Sequence, residues 1–324
     1  MQEQSSQTPT DRSRAVQLNA FGGPDVLDVR EVPAPQAGPG QVRVRVTAAG
    51  LNPMDWLMTA DADTAARFGL TLPVGFGTDY AGVVDQIGDG VSGFSSGDRA
   101  FGGALSRAVA DFVVVDSSGD TAANEAHHTP DGVDDRIAAT LTIAGRTASA
   151  ALAAINPGPD DTVLIGGAGG GVGVFAVQLA RIAGARVIGT GSPSSADHLR
   201  ELGAEPVVYG DGLADRVRAL APDGVTAAMD LHGEETVHVA RELGVPDKRI
   251  CTIAAQIDGV TAANGANAAP GTLEEIARLV AAGRLRVPVE ASFAIEEIRR
   301  AVELQAGRRV KGKVVIDLQE VVFG

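Results

Sequence analysis

One stretch restricts the fold of this chain more than any other: VLIGGAGGGVGVFAVQLARIAGARVIGTGS, residues 163–192. An unbroken apolar run meets a glycine cluster, an amphipathic segment follows, and a second apolar run closes the stretch. Strand, tight turn, helix and strand over about thirty residues is the repeating unit of a doubly wound parallel sheet. Ala168, Gly170 and Gly173 form an A-x-G-x-x-G pattern between strand and helix, with Gly171 and Val172 completing the turn. A Cβ at the central positions would hold the backbone off a pyrophosphate, and the last glycine lets helix and strand pack closely. The unpaired N–H groups of the helix start then attract phosphate. A glycine-rich turn without a ligand is the plainer alternative, but here both strands and the helix stand in the register that a dinucleotide site requires.

The end of the second strand carries a further signal. A site for NAD places Asp or Glu about 20 residues beyond the glycines, on the ribose 2′-OH. This strand ends instead in Thr190, Gly191 and Ser192. Small hydroxyl residues leave room for a 2′-phosphate and can donate to it, which predicts NADPH, with Ser192 and Tyr209 at the adenosine end. No Arg or Lys lies within TGSPSSAD (190–197) to pair that phosphate.

The rest of the chain frames this unit. The first ten or so residues read as a disordered tail. From Val16 on, runs such as VLDVREV (26–32), QVRVRVTAAG (41–50), DYAGVVDQIG (79–88) and DFVVVD (111–116) alternate with period two. Gly-, Pro- and Ser-rich turns separate them, which predicts a mainly antiparallel β domain. Residues 116–135 are polar and read as an irregular passage between domains. Strands and helices then alternate from Arg136 as far as RICTIAAQ (249–256), two helices follow a Gly/Ala-rich loop, and the final strand GKVVIDL (312–318) is expected to return to the first domain. The domains expected are therefore 1–124 plus 271–324, and 125–270. No internal repeat is evident.

Composition narrows the function classes. The net charge of −14 repels phosphate backbones and anionic lipid, so no nucleic-acid or membrane partner is expected. A single cysteine, Cys251, leaves no multi-cysteine metal site, and none is expected. The polar N-terminus has no apolar signal region, and no apolar run is long enough to span a bilayer, so a cytoplasmic location is expected.

Several blocks, in order, resemble one family: AAGLNPMDW (48–56), PVGFGTDYAGVVDQIGDGVSGFSSGDRAFG (73–102), AGRTASAAL (144–152), GGAGGGVGVFAVQLARIAGARVIGT (166–190), LRELGAEPVVYG (199–210) and VKGKVVIDL (310–318). Together they resemble the medium-chain dehydrogenase/reductase superfamily, in its zinc-independent quinone oxidoreductase (zeta-crystallin-like) branch. The fold class implied is α/β, a GroES-like β-rich domain plus a Rossmann domain with a doubly wound parallel sheet. Where zinc-dependent relatives carry Cys and Gly-His-Glu, this chain has Asn52 and Gly77-Thr78-Asp79. The chemistry implied is hydride delivery from NADPH to a quinone or an α,β-unsaturated carbonyl compound (an enone). A 2-enoyl-thioester reductase is the alternative within the enzymes, and a non-catalytic NADPH-binding protein the alternative outside them.

By the same resemblance, Asn52 lies near the nicotinamide as the candidate catalytic residue, and Thr147 lies on the nicotinamide side. The backbones of Leu231 and Ala254 line the cofactor, and Lys313 approaches it. Plainer readings make Asn52 a turn residue before Pro53, Thr147 an ordinary helix residue and Lys313 a solvated lysine. Asp55 is expected to hold the Asn52 loop and not to act as a base. The tyrosine of some relatives is missing: the chain's two, Tyr80 and Tyr209, lie elsewhere, which leaves product protonation to solvent. Trp56, Phe68 and Phe76 are available to wall an apolar slot, scattered core aromatics being the plainer reading. His127 and His128 are expected on a polar loop. Relatives commonly pair through the edges of their Rossmann sheets, so a homodimer is the implied assembly.

Overall fold

The computed structural model describes residues 12–119 and 121–318; the expected N-terminal tail, residues 1–11, lies outside them. The first half runs through β1 (Arg12–Leu18), β2 (Asp28–Pro33), β3 (Gln41–Leu51), α1 (Pro53–Leu57), α2 (Ala62–Arg67), β4 (Val74–Gly75), β5 (Asp79–Ile87), β6 (Arg99–Ala104), β7 (Phe112–Asp116) and β8 (Asn124–His128). Period-two alternation puts Val42, Val44 and Val46 of β3 into one core with Val84, Val113 and Tyr80. β3 pairs antiparallel with β5 and β7, and β5 continues through β6 to β8. β2, β1 and β4 form a separate antiparallel sheet.

β8 falls inside the stretch read from sequence as an irregular passage. Its residues NEAHH carry no alternation of apolar and polar side chains, because Glu125 is buried and His127 half-buried through ion pairs and not through apolarity.

After α3 (Asp135–Ala138) and α4 (Thr142–Ile155) the chain enters β9 (Thr162–Gly166), α5 (Gly173–Ile182), β10 (Arg186–Gly191), α6 (Ala196–Glu201), β11 (Glu205–Val208), α7 (Leu213–Leu220), β12 (Ala227–Asp230), α8 (Glu235–Glu242), β13 (Ile250–Thr252) and β14 (Thr261–Ala262). Among the described residues these strands form one parallel sheet, ordered β11-β10-β9-β12-β13-β14. This is the doubly wound order, which reverses between β9 and β12. Both faces of the sheet are covered: Val163 and Ile165 join the core with α4 and α5, while Leu164 and Ile188 join the one with α7 and α8. Continuous apolar strands are the expected consequence.

α9 (Thr272–Ala281) packs Leu273, Ile276 and Leu279 into the core of Ile165 and Phe175; the expected boundary at 270–271 falls just before this helix. β15 (Val289–Ala294), α10 (Ile298–Ala306) and β16 (Lys313–Asp317) follow. β16 pairs antiparallel with β3 and parallel with β15, so the last strand returns to the β-rich half.

Candidate active site

In an open parallel sheet, ligands bind beyond the strand ends where the order reverses. Here that is the gap between β9 and β12, and the glycine turn after β9 stands in it. Gly167 takes φ +68°, a conformation reserved largely for glycine, and its carbonyl accepts from Gly170 N at 3.1 Å to close the turn. A Cβ on Gly173 would lie 2.3 Å from Gly167 O, so this glycine is demanded by the close passage of α5 under the turn. Gly170 differs, since a Cβ there would meet only Gly167 O, at 3.5 Å. Protein packing does not require glycine at 170. The space it leaves open lies ahead of Val172 and the start of α5.

The residues at the strand ends divide into supports and free groups. Thr190 is 4 % exposed, and its hydroxyl accepts from Gly167 N at 3.2 Å. It therefore supports the glycine turn. A Cβ on Gly191 would lie 2.9 Å from Leu199 Cδ1. Ser192 Oγ lies 3.0 Å from Ser194 Oγ and 2.8 Å from Ser195 Oγ, a cluster of three hydroxyls just past β10. Lys311 Nζ, from the far end of the sequence, donates to Ser194 O at 2.9 Å. The cation missing from 190–197 thus arrives through the fold. Tyr209 is 54 % exposed beside this cluster, its N–H 3.4 Å from Gly191 O.

Across the gap, Leu231 N donates to Gly166 O at 3.2 Å, and Asp230 holds the turn by accepting from His232 N, Gly233 N and Thr236 N. Ala254 follows β13, its N–H 3.1 Å from Thr252 Oγ1. Thr147 donates back to Ile143 O within α4 at 2.7 Å, and a Cβ on Gly265 would lie 3.0 Å from its hydroxyl, so the 265–267 turn covers it.

Asn52 sits where β3 ends and α1 begins, in a buried polar cluster. Its Oδ1 accepts from Lys313 Nζ at 2.6 Å, and its Nδ2 donates to Asp79 Oδ2 at 3.0 Å. Asp79 also accepts from Ile143 N at the start of α4, 3.2 Å away. Asp55 accepts from Asn52 N and from Thr78 Oγ1, each at 2.8 Å, so it holds the Asn52 loop as expected. Lys313 is 2 % exposed and not solvated. Burial pushes Asp79 up to about 7 and Asp55 up to about 6, although Lys313 draws both down. Burial likewise holds Lys313 below the ordinary lysine value. This cluster abuts the glycine turn: Gly312 N donates to Gly169 O at 2.9 Å, and a Cβ on Gly171 would lie 3.4 Å from Lys313 Cδ.

Lys311 was invisible as a site residue, because nothing local marks a lysine before a strand as facing a site, and Asp79 stood out only as the residue found where zinc-dependent relatives carry Glu. Trp56, Phe68 and Phe76 do not form one wall. Phe76 is in the core of the β-rich half, Phe68 is 46 % exposed, and Trp56 donates to Gln305 Oε1 at 3.0 Å. Nor is His127 on a loop. Its Nε2 lies 3.0 Å from Glu125 Oε2 and its Nδ1 2.9 Å from Glu274 Oε1.

Comparison with known proteins is consistent across the chain. Residues 38–130 match the alcohol dehydrogenase GroES-like domain, and residues 171–287 match the zinc-binding dehydrogenase family. A quinone oxidoreductase of Pseudomonas aeruginosa is 31% identical, with 94% of this chain and 99% of that protein covered. A mycocerosic acid synthase-like polyketide synthase of Mycobacterium tuberculosis is 29% identical over 98% of this chain and 16% of its own length. The solved quinone oxidoreductase of Coxiella burnetii superposes with a TM-score of 0.83 at 26% identity, covering 95% of this chain and 100% of that one. The second family's description implies zinc, but the residues at hand do not fit it. Asn52, Thr78 and Asp79 supply an amide, a hydroxyl and one carboxylate, the Lys313 ammonium stands 4.0 Å from Asp79 Oδ2, and zinc prefers thiolate and imidazole. The chain belongs to the medium-chain dehydrogenase/reductase superfamily, among its quinone-oxidoreductase-like members, and is an oxidoreductase.

Proposed function

We propose that the protein is a zinc-independent, NADPH-dependent reductase of quinones or α,β-unsaturated carbonyl compounds. The observation that carries this reading is the open turn at Gly170 with the Ser192–Ser194–Ser195 hydroxyls and Lys311 beyond the end of β10, where an NAD site would place a carboxylate. The turn and the start of α5 would hold the pyrophosphate, and the hydroxyls and Lys311 the 2′-phosphate. The backbones at Leu231 and Ala254 would line the bound chain of the cofactor. Bound there, NADPH supplies the hydride. The protein's own part is to hold both reactants in line and to meet the negative charge that develops on the substrate oxygen. Similarity to a polyketide synthase over nearly the whole chain favours an enoyl thioester as the second substrate reading.

The test is to titrate the purified protein with NADPH and NADH by reduced-nicotinamide fluorescence. Oxidation of the cofactor is then followed with 9,10-phenanthrenequinone, with cyclohexenone and with a crotonyl thioester. Tighter binding of NADPH and quinone- or enone-dependent oxidation are expected. Lys311→Gln should weaken NADPH about tenfold, the worth of one charge-assisted hydrogen bond, and leave NADH unchanged. Equal affinity for the two cofactors in the unaltered protein would overturn the 2′-phosphate assignment, and turnover of the thioester alone would move the substrate to the second reading.

A further inference from the structure

The segment before β16 ties the glycine turn to the serine cluster past β10. Gly312 N donates to Gly169 O at 2.9 Å, and the neighbouring Lys311 Nζ donates to Ser194 O at 2.9 Å. A second side chain reaches the same carbonyl. His198, in α6, places its Nε2 3.3 Å from Gly169 O, and a Cβ on Gly169 would lie only 3.2 Å from its Cδ2, so the ring rests against the turn. His198 follows Ser195 by three residues, a spacing that brings side chains to one face of a helix. Ser195 Oγ is in turn 2.8 Å from Ser192 Oγ. The imidazole is half-buried, packed against the turn yet open to a ligand. The geometry points to His198 as a second ligand of the NADPH 2′-phosphate: protonated, it joins Lys311 and the serine hydroxyls there and makes the preference for NADPH depend on pH.

The assignment rests on the NADPH reading above and deepens it. A phosphate monoester carries close to two negative charges at neutral pH, and Lys311 supplies one positive charge. An imidazolium donates through both nitrogens, so Nε2 keeps Gly169 O while Nδ1–H is left for the phosphate. A histidine changes charge within the physiological range, and an adjacent phosphate dianion favours its charged form. Binding of NADPH therefore draws a proton onto the ring, whereas NADH, with a hydroxyl at that position, draws none. The other charges around His198 are already engaged. On its own helix Asp197 is paired with Arg200 at 2.7 Å, and Glu201 lies 3.7 Å from Arg286. The neighbouring strands β10 and β11 pair Arg186 with Glu205 at 2.7 Å, and the segment before β16 presents Lys311.

The experiment titrates the full-length chain with NADPH and with NADH at pH 6, 7.5 and 8.5. His198→Gln should weaken NADPH about tenfold at pH 6, the worth of one charge-assisted hydrogen bond, and less than about twofold at pH 8.5, with NADH unchanged throughout. His198→Arg, charged at every pH, should hold NADPH at pH 8.5 at least as tightly as at pH 6. Calorimetry at pH 7.5, in two buffers of different ionisation enthalpy, should show more proton uptake with NADPH than with NADH, and His198→Gln should abolish that difference. A His198→Gln protein that is folded, as judged by its Tm, and keeps the native ratio of NADPH to NADH affinity at pH 6 overturns the assignment. An equal loss of both cofactors overturns it too, since it makes His198 a support of the glycine turn alone. Equal affinity of the native protein for the two cofactors would overturn the 2′-phosphate reading itself and this assignment with it. A native preference for NADPH that outlives His198 leaves that reading standing on Lys311 and the serines, and only the assignment falls.

Discussion

Thr190 shows how a residue can be read as a ligand contact and turn out to be the support of one. Its position after a strand and its hydroxyl suggested the 2′-phosphate; in the fold it is 4 % exposed and its oxygen accepts from Gly167 N, so the contact it makes is with the turn itself. What the sequence does not reveal is direction: in a strand, residues 190 and 192 share a face only while the strand continues, and here β10 ends at Gly191 and a 3-10 turn begins at Pro193. Thr190→Val keeps the shape and leaves the Gly167 N–H without its partner, at a cost of about 1–3 kcal/mol. Part of that cost falls on the turn that receives the cofactor. The expected outcome is a several-fold loss of NADPH affinity together with a lower Tm. Unchanged binding by fluorescence titration would mean that the turn holds its form without the threonine.

At the level of elements, the two glycines of one turn make opposite predictions, and together they test whether the turn holds a ligand. Gly173→Ala drives a Cβ to 2.3 Å from Gly167 O, so α5 must shift off β9. Overpacking of this kind costs about 1–3 kcal/mol, and the variant should show a lowered Tm even without cofactor. Gly170→Ala meets nothing closer than 3.5 Å and should leave the Tm of the ligand-free protein unchanged. Its methyl group fills the phosphate space, so NADPH affinity should fall by more than tenfold. A Gly170→Ala protein that binds NADPH normally would remove the main support for the dinucleotide site.

This turn was legible because its grammar is local: strand, glycines and helix follow one another within one stretch. The parallel arrangement of the sheet was legible for the same reason, whereas the return of β16 to β3 is a long-range pairing that no local pattern marks. β8 was not legible, because its buried Glu125 and half-buried His127 find their partners Arg146 and Glu274 on α4 and α9. Lys311 was likewise unreadable, and so was the contact of Lys313 with Asn52, since Ser194 and Asn52 are distant from these lysines in sequence and adjacent only after folding.

Three groups with shifted titrations, Asp79, Asp55 and His127, lie where the β-rich half meets the helices that cover the parallel sheet. Asp79 and Asp55 are buried at one such contact, and at another the His127 ring lies between Glu125 and Glu274, with Arg146 on Glu125. Burial alone would lower His127, but its two carboxylate partners outweigh it and leave its value raised. The signs then determine the pH response of stability. Asp79 and Asp55 titrate at about 7 and 6 when folded and near 3.9 when unfolded, so the folded state holds more protons between those limits and loses stability as pH rises through them. The contribution of His127 is complete below about 6.5 and is lost as pH rises through its raised folded value. Carboxylates held low by arginine, such as Glu205 beside Arg186, act in the opposite sense, but only at acid pH below the ordinary carboxylate value. The net charge of −14 adds repulsion that grows toward alkaline pH. The Tm is therefore expected to peak on the acid side of neutrality, near pH 5, and to decline from there to pH 8. Asp79→Asn should flatten the decline between pH 5 and 7, and His127→Gln the part above about 6.5. Calorimetric scans of the three proteins at pH 5, 6, 7 and 8 test this directly. A native Tm that rises from pH 5 to pH 8 would show that these buried groups ionise without penalty, and that the two contacts do not govern stability.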